Sequence, residues 1–128
     1  NVVNYLAEKI YQALPVSTRL ADESMTCGIL ATGGIEYLLS EYALLKIPNV
    51  IMFPISARNS PAAIEHLVRE TKTILILTTR QYVPVLDTIR EQEEFRSLQV
   101  IVLNEGDFVI EEMLQRKDEA CVTMPEAL

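Results

Sequence analysis

Apolar positions along the chain fall into two kinds of run, and the two kinds alternate. Val3, Leu6, Ala7, Ile10 and Leu14 recur at helical spacing, which predicts an amphipathic helix over residues 2–14 closed by Pro15. A polar connection follows from Val16 to Ser24. Met25 to Ala31 is short and continuously apolar, the pattern of a buried strand. Thr32-Gly33-Gly34 then turns into a second helix. Its buried face is predicted as Ile35, Leu38, Leu39, Tyr42 and Leu45, with Glu36 placed to reach back and cap the first turn. Pro48-Asn49 ends it.

The next stretch is strand, turn, helix, strand. Val50 to Phe53 is an apolar run suited to a strand buried on both faces, and Pro54 ends it. Ser60-Pro61 is a helix start, with a hydroxyl N-cap and a proline where no N–H is needed. Ile64, Leu67 and Val68 recur at helical spacing among Glu65, Arg69 and Glu70. Thr73 to Leu77 is a second apolar, β-branched run, so the whole forms a right-handed βαβ unit. Arg80 to about Glu94 predicts another crossover helix, with Val83, Leu86 and Ile89 inward and Pro84 near its start. Gln92 to Arg96 is a charged surface turn, and Leu98 to Leu103 is a fourth strand. Past Asn104-Glu105-Gly106, Asp107 opens a short helix through Leu114. Gln115 to Glu119 is solvated, and Ala120 to Thr123 is a fifth, edge strand stopped by Pro125. Strands that are apolar throughout, alternating with helices, predict an α/β fold. It is a Rossmann-like (flavodoxin-like) three-layer sandwich around a mostly parallel sheet of four to five strands. The pattern leaves the strand order open.

Composition narrows this picture. The 128 residues make one domain, and 49% of them are apolar, so the chain buries a core rather than staying disordered. A net charge of −7 argues against a nucleic-acid or anionic-membrane surface. No apolar run approaches the length that spans a bilayer. The chain does not start with methionine and no signal-peptide pattern opens it, so a piece of a longer protein is expected. Cys27 and Cys121 lie in apolar runs and read as buried free thiols of a cytoplasmic protein. Two cysteines and the single His66, far apart in sequence, make no zinc pattern.

Ligands of such sheets bind at the carboxyl ends of the strands. Those ends carry Thr32, Gly33 and Gly34; then Ser56, Ala57, Arg58, Asn59 and Ser60; then Thr78, Thr79 and Arg80; then Asn104 to Asp107. Thr32-Gly33-Gly34 is a candidate anion cradle at a helix N-terminus, or simply a tight turn. It lacks the Gly-x-Gly-x-x-Gly and Gly-Lys-Ser/Thr patterns of nucleotide loops. It is loosely similar to the flavin-phosphate loop of flavodoxins, without that loop's hydroxyl ladder. Arg58-Asn59-Ser60 is a second anion candidate, or a capped turn whose arginine pairs with a surface acid. His66 sits within a helix with no partner at catalytic spacing. The acids Glu91, Glu93, Glu94, Asp107, Glu111 and Glu112 read as solvated faces. A phosphoacceptor receiver domain is excluded, because Thr32 and Thr78 stand where its acids belong.

One run carries a family resemblance. Pro54-Ile55-Ser56-Ala57-Arg58-Asn59-Ser60-Pro61-Ala62-Ala63, followed by His66-Leu67, resembles a segment of adenylate-forming enzymes. It is most similar to the adenylation domains of fungal aminoadipate-reductase-like and nonribosomal-peptide-synthetase-like proteins, with Ala57 in place of the family proline. Ile29 to Gly33, Glu36 to Leu38, Ala43 to Lys46 and Met124-Pro125-Glu126 resemble flanking elements.

The resemblance implies an N-terminal subdomain fragment of a larger adenylation domain. The parent chemistry is ATP-dependent activation of a carboxylate to an acyl-adenylate, with Mg²⁺. That family holds ATP with a Gly- and Ser/Thr-rich loop followed by lysine, and this sequence has no such loop. No catalytic residue is therefore carried over, no cofactor is assigned to these residues alone, and the implied partner is the remainder of the domain. Two alternatives stay open: a non-catalytic binding or self-associating module of the same fold, and a flavodoxin-like cofactor binder using residues 32–35.

Overall fold

The computed structural model describes residues 2–16 and 23–105. The expected helix from Asp107, the strand at Ala120 to Thr123, Cys121 and Met124-Pro125-Glu126 lie outside the described residues, as does most of the Val16 to Ser24 connection. Among the described residues, four α-helices and four strands alternate: α1 (Val2–Ala13), β1 (Met25–Leu30), α2 (Ile35–Leu45), β2 (Val50–Pro54), α3 (Pro61–Thr71), β3 (Leu75–Thr78), α4 (Val83–Arg90) and β4 (Gln99–Val102). All pairings are parallel, in the order β2-β1-β3-β4. The expected α/β sandwich is the architecture observed.

Side-chain alternation along the central strands sorts the core into two layers. On one face, Cys27 and Ile29 of β1 and Leu75 and Leu77 of β3 pack with Leu6, Ile10 and Leu14 from the α1 segment and Leu39, Ala43 and Leu44 from α2. On the other, Leu30 and Ile76 pack with Ile64 and Val68 of α3, Leu86 and Ile89 of α4, and Phe95 and Leu98. Gly28 lies on this second face. A Cβ there would stand 3.0 Å from Ile55 Cδ1, so the absent side chain is what lets Ile55 close over β1.

Local chemistry explains most element ends. The Ser60 hydroxyl accepts the Ala63 N–H at 3.2 Å, with Pro61 at the first helical position, as the sequence predicts. Lys72 closes α3 in the left-handed conformation, φ 54°. Arg69 binds α3 to a short 3₁₀ turn at Glu93–Phe95. Its guanidinium lies 2.7 Å from Glu94 and 3.1 Å from Glu65, and stacks 5.3 Å from the Phe95 ring centroid.

Four expectations are corrected. The helix predicted from Arg80 to Glu94 is instead a 3₁₀ turn, Arg80–Tyr82, then α4, then the Glu93–Phe95 turn. Pro84 in the first turn of α4 has no N–H to join an earlier helical turn to this one. Phe95, inside the predicted surface turn, is buried. Among the described residues strand β2 lies at the edge of the sheet, only partly buried, with Val50 and Met52 against one core layer, Phe53 against the other, and Ile51 52% exposed.

The fourth correction concerns α2. Its buried residues are Leu39, Ser40, Ala43 and Leu44. Leu38, Tyr42 and Leu45, expected inside, are 45%, 51% and 69% exposed. Ser40 tolerates burial because its hydroxyl donates to the Glu36 carbonyl at 2.7 Å.

Candidate functional site at the carboxyl ends of the strands

The strand order reverses direction between β1 and β3, since β2 lies on one side of β1 and β3 and β4 on the other. The crevice of a doubly wound sheet opens at such a point. It is bordered here by the residues after β1 (Thr32, Gly33, Gly34) and after β3 (Thr79, Arg80). Leu30 and Thr78 are the last register partners of the pair. The Thr78 hydroxyl donates to the Leu30 carbonyl at 2.7 Å, locking the two strand ends together. On the far side, the Leu103 N–H donates to the Thr78 carbonyl at 2.8 Å and the Arg80 N–H to Asn104 Oδ1 at 2.8 Å. The Thr79 backbone stays extended, so its side chain falls on the Leu75 and Leu77 face, toward α1 and α2. Its hydroxyl oxygen is buried and has no hydrogen-bond partner.

Thr32, Gly33 and Gly34 are exposed. Gly34 caps α2 at φ 124°, a conformation that favours glycine, and no side chain hydrogen-bonds there as a cap. The expected reach-back by Glu36 is not made as a hydrogen bond. The Glu36 carboxylate nevertheless lies close by, with Oε2 3.8 Å from where a Gly34 Cβ would stand. A carboxylate in the first turn already complements the positive end of the helix dipole. An anion bound at this turn would have to displace it.

Arg58, Asn59 and Ser60 follow the edge strand β2, one strand away from the crevice. α2 and α3 cover opposite faces of the sheet, so the two candidate turns lead into helices on opposite sides and do not form one cradle. The second turn is held locally: the Arg58 N–H donates to the Ser56 hydroxyl at 3.2 Å and the Asn59 N–H to the Ser56 carbonyl at 3.2 Å. Arg58 is exposed, and no carboxylate among the described residues pairs with it; the surface ion pair of this face belongs to Arg69. His66 is exposed on α3. Among the described residues, no group of three His, Cys, Asp or Glu side chains is arranged to hold a metal ion. No described helix is long and apolar enough to cross a membrane. The sequence pattern pointed to both turns. It did not reveal the orphaned Thr79 hydroxyl, which depends on β3 lying beside β1.

No family model matches the chain, and no curated protein matches it. Solved structures do. The N-terminal domain of FACL13 from Mycobacterium tuberculosis superposes with a TM-score of 0.65 at 16% identity, over 89% of this chain and 27% of that one. The fatty acyl CoA synthetase of Mycobacterium tuberculosis gives 0.63 at 15% identity, over 88% and 21%. The anthranilate CoA ligase AuaEII, in complex with anthranoyl-AMP, gives 0.62 at 17% identity, over 90% and 21%. At these identities the likeness is one of fold, and it is the fold that the run from Pro54 to Ala63 led us to expect. The chain spans 27% or less of the length of each of these structures.

Proposed function

We propose that this chain is the amino-terminal α/β portion of an adenylate-forming enzyme and acts there as scaffold rather than as catalyst. The observation that carries the reading is the parallel β2-β1-β3-β4 sheet with its helices, which superposes on the acyl CoA ligases over 88–90% of the chain. The run Pro54 to Ala63 adds a sequence likeness to the same enzymes. In the parent reaction a carboxylate oxygen attacks the α-phosphorus of ATP. The bond to the β-phosphate oxygen breaks, leaving acyl-adenylate and pyrophosphate, and a thiol then takes the acyl group and releases AMP.

The residues described here do not fit ATP and Mg²⁺. The transition state of that step needs clustered positive charge. Arg58 and Arg80 are exposed on separate loops, Glu36 stands at the α2 N-terminus, and the described acids form no metal cluster. No step of the reaction is therefore assigned to them. The test is to read the transcript past the codon for Leu128 and assay ATP–pyrophosphate exchange by both products. Exchange by the longer product and none by the 128-residue chain is expected. An immediate stop codon, or exchange by the short chain alone, refutes the reading.

One observation favours a second reading, a non-catalytic module of this fold that associates through its surface: α2 is apolar on its outer side. A dimer whose population grows with concentration in sedimentation would support it. A flavin mononucleotide at residues 32–35 would set its phosphate against the Glu36 carboxylate, so purified protein is expected to take up no added flavin.

A further inference from the structure

The two faces of the sandwich are finished differently. On one side, the outward positions of α3 and α4 are polar, with Glu70, His66, Asp87 and Thr88 all exposed. That is the ordinary surface of a helix in contact with water. On the other side, the outward positions of α2 are Leu38, Tyr42 and Leu45 at i, i+4 and i+7, 45%, 51% and 69% exposed. They lie opposite the stripe of Leu39, Ala43 and Leu44 that packs on the sheet. A helix apolar on both sides is one that is covered on both sides.

The occupant follows from size and charge. Three half-exposed side chains of this kind offer on the order of 300–400 Å². Two copies pairing through them would bury roughly 600–800 Å², short of the ~1,000 Å² that a specific interface requires. A second copy also carries the same net charge of −7. A layer belonging to the same polypeptide needs no such area, because its local concentration is set by the chain connection. The matched structures continue well beyond the part that superposes, which is 21–27% of their length.

We infer that Leu38, Tyr42 and Leu45 form the face on which the remainder of the adenylating domain packs, an apolar layer supplied in cis, while the α3 and α4 side stays in solvent. The inference rests on the adenylating-enzyme reading. In a Cys121→Ser background, single variants Leu38→Cys, Tyr42→Cys and Leu45→Cys are made in the 128-residue chain and in the product of the full reading frame. Glu70→Cys and Asp87→Cys serve as controls, and Cys27 is buried. Maleimide labelling rates are then compared between the two lengths. Protection of positions 38, 42 and 45 by tenfold or more in the longer product, with unchanged rates at 70 and 87, is expected.

Equal rates at the three positions in both lengths overturn the inference, even when the longer product catalyses pyrophosphate exchange. Protection without exchange upholds the packing and refutes the enzyme. A reading frame that stops at Leu128 removes the occupant and both claims. Protection at 38, 42 and 45 that then grows with concentration in the short chain assigns the face to a second copy.

Discussion

The Cys27 thiol offers a test of the core that can be read as a pH dependence. It is fully buried between β1 and the α1–α2 layer, and burial pushes its pKa from the ordinary 9.0 up to about 12. A thiol is neutral when protonated, so below pH 9 both folded and unfolded chains hold the proton and stability is unaffected. Between pH 9 and 12 the unfolded chain releases it and the folded chain does not, so stability falls as pH rises. At pH 10 the loss from this group is on the order of 1 kcal/mol. Replacing Cys27 by alanine removes the titration and costs roughly 1 kcal/mol in lost contacts at pH 8. The assay is urea unfolding of the Cys121→Ser parent and its Cys27→Ala variant at pH 8 and pH 10, under reducing conditions. Tyrosine and lysine titrations are common to both proteins and cancel. The deficit of the variant should shrink by about 1 kcal/mol between the two pH values. A deficit that is the same at both would mean the thiol titrates alike in the folded and unfolded chains, and the buried placement of β1 would be wrong.

Gly28→Ala should destabilise by roughly 1–2 kcal/mol through contact with Ile55 Cδ1, and Ile55→Val, which deletes that atom, should recover part of the loss in a double-mutant cycle by thermal unfolding. Ser60→Ala should cost about 1 kcal/mol by orphaning the Ala63 N–H, measured by chemical denaturation. Lys72→Gly should stabilise by roughly 0.5–1 kcal/mol, because the residue already sits in the left-handed conformation. Arg69 holds the Glu94 carboxyl below the usual carboxylate range. That contribution is present above the ordinary carboxylate pKa and fades as pH falls through the lowered one, so Glu94→Gln should flatten the acid limb of a stability–pH curve, and high salt should mimic it.

Sequence legibility followed what each residue's chemistry specifies locally. Ser60-Pro61 fixed a helix start to the residue, because capping and a missing N–H need no distant partner. In α2, apolar residues lie all round the helix, so periodicity cannot say which stripe meets the sheet, and the choice of Leu38, Tyr42 and Leu45 went to the wrong side. Buried Ser40 carried no apolar signal at all. In β2, an apolar run reports covered faces and not lateral position. Val50, Met52 and Phe53 are partly buried, and Ile51 and Pro54 are exposed. The anion candidates were legible as turns, through Gly33-Gly34 and Arg58-Asn59-Ser60. Their separation onto opposite faces, and the closeness of Thr79 to the β1 end, come from the strand order, which short-range pattern does not encode.

That order also bears on how the chain is made. The hydroxyl of Thr78 closes onto the carbonyl of Leu30, a partner 48 residues earlier. At roughly 5–20 residues per second, a ribosome would take about 2–10 s to deliver β3 after β1 has been synthesised. Through that interval β1 can find β2 on one side while its other edge stays unpaired, exposing Cys27, Ile29 and Leu30 beside it. Slow translation across the α3 segment would lengthen the exposure, and a chaperone that binds extended apolar segments would be expected on the nascent chain between the emergence of Leu30 and that of Thr78.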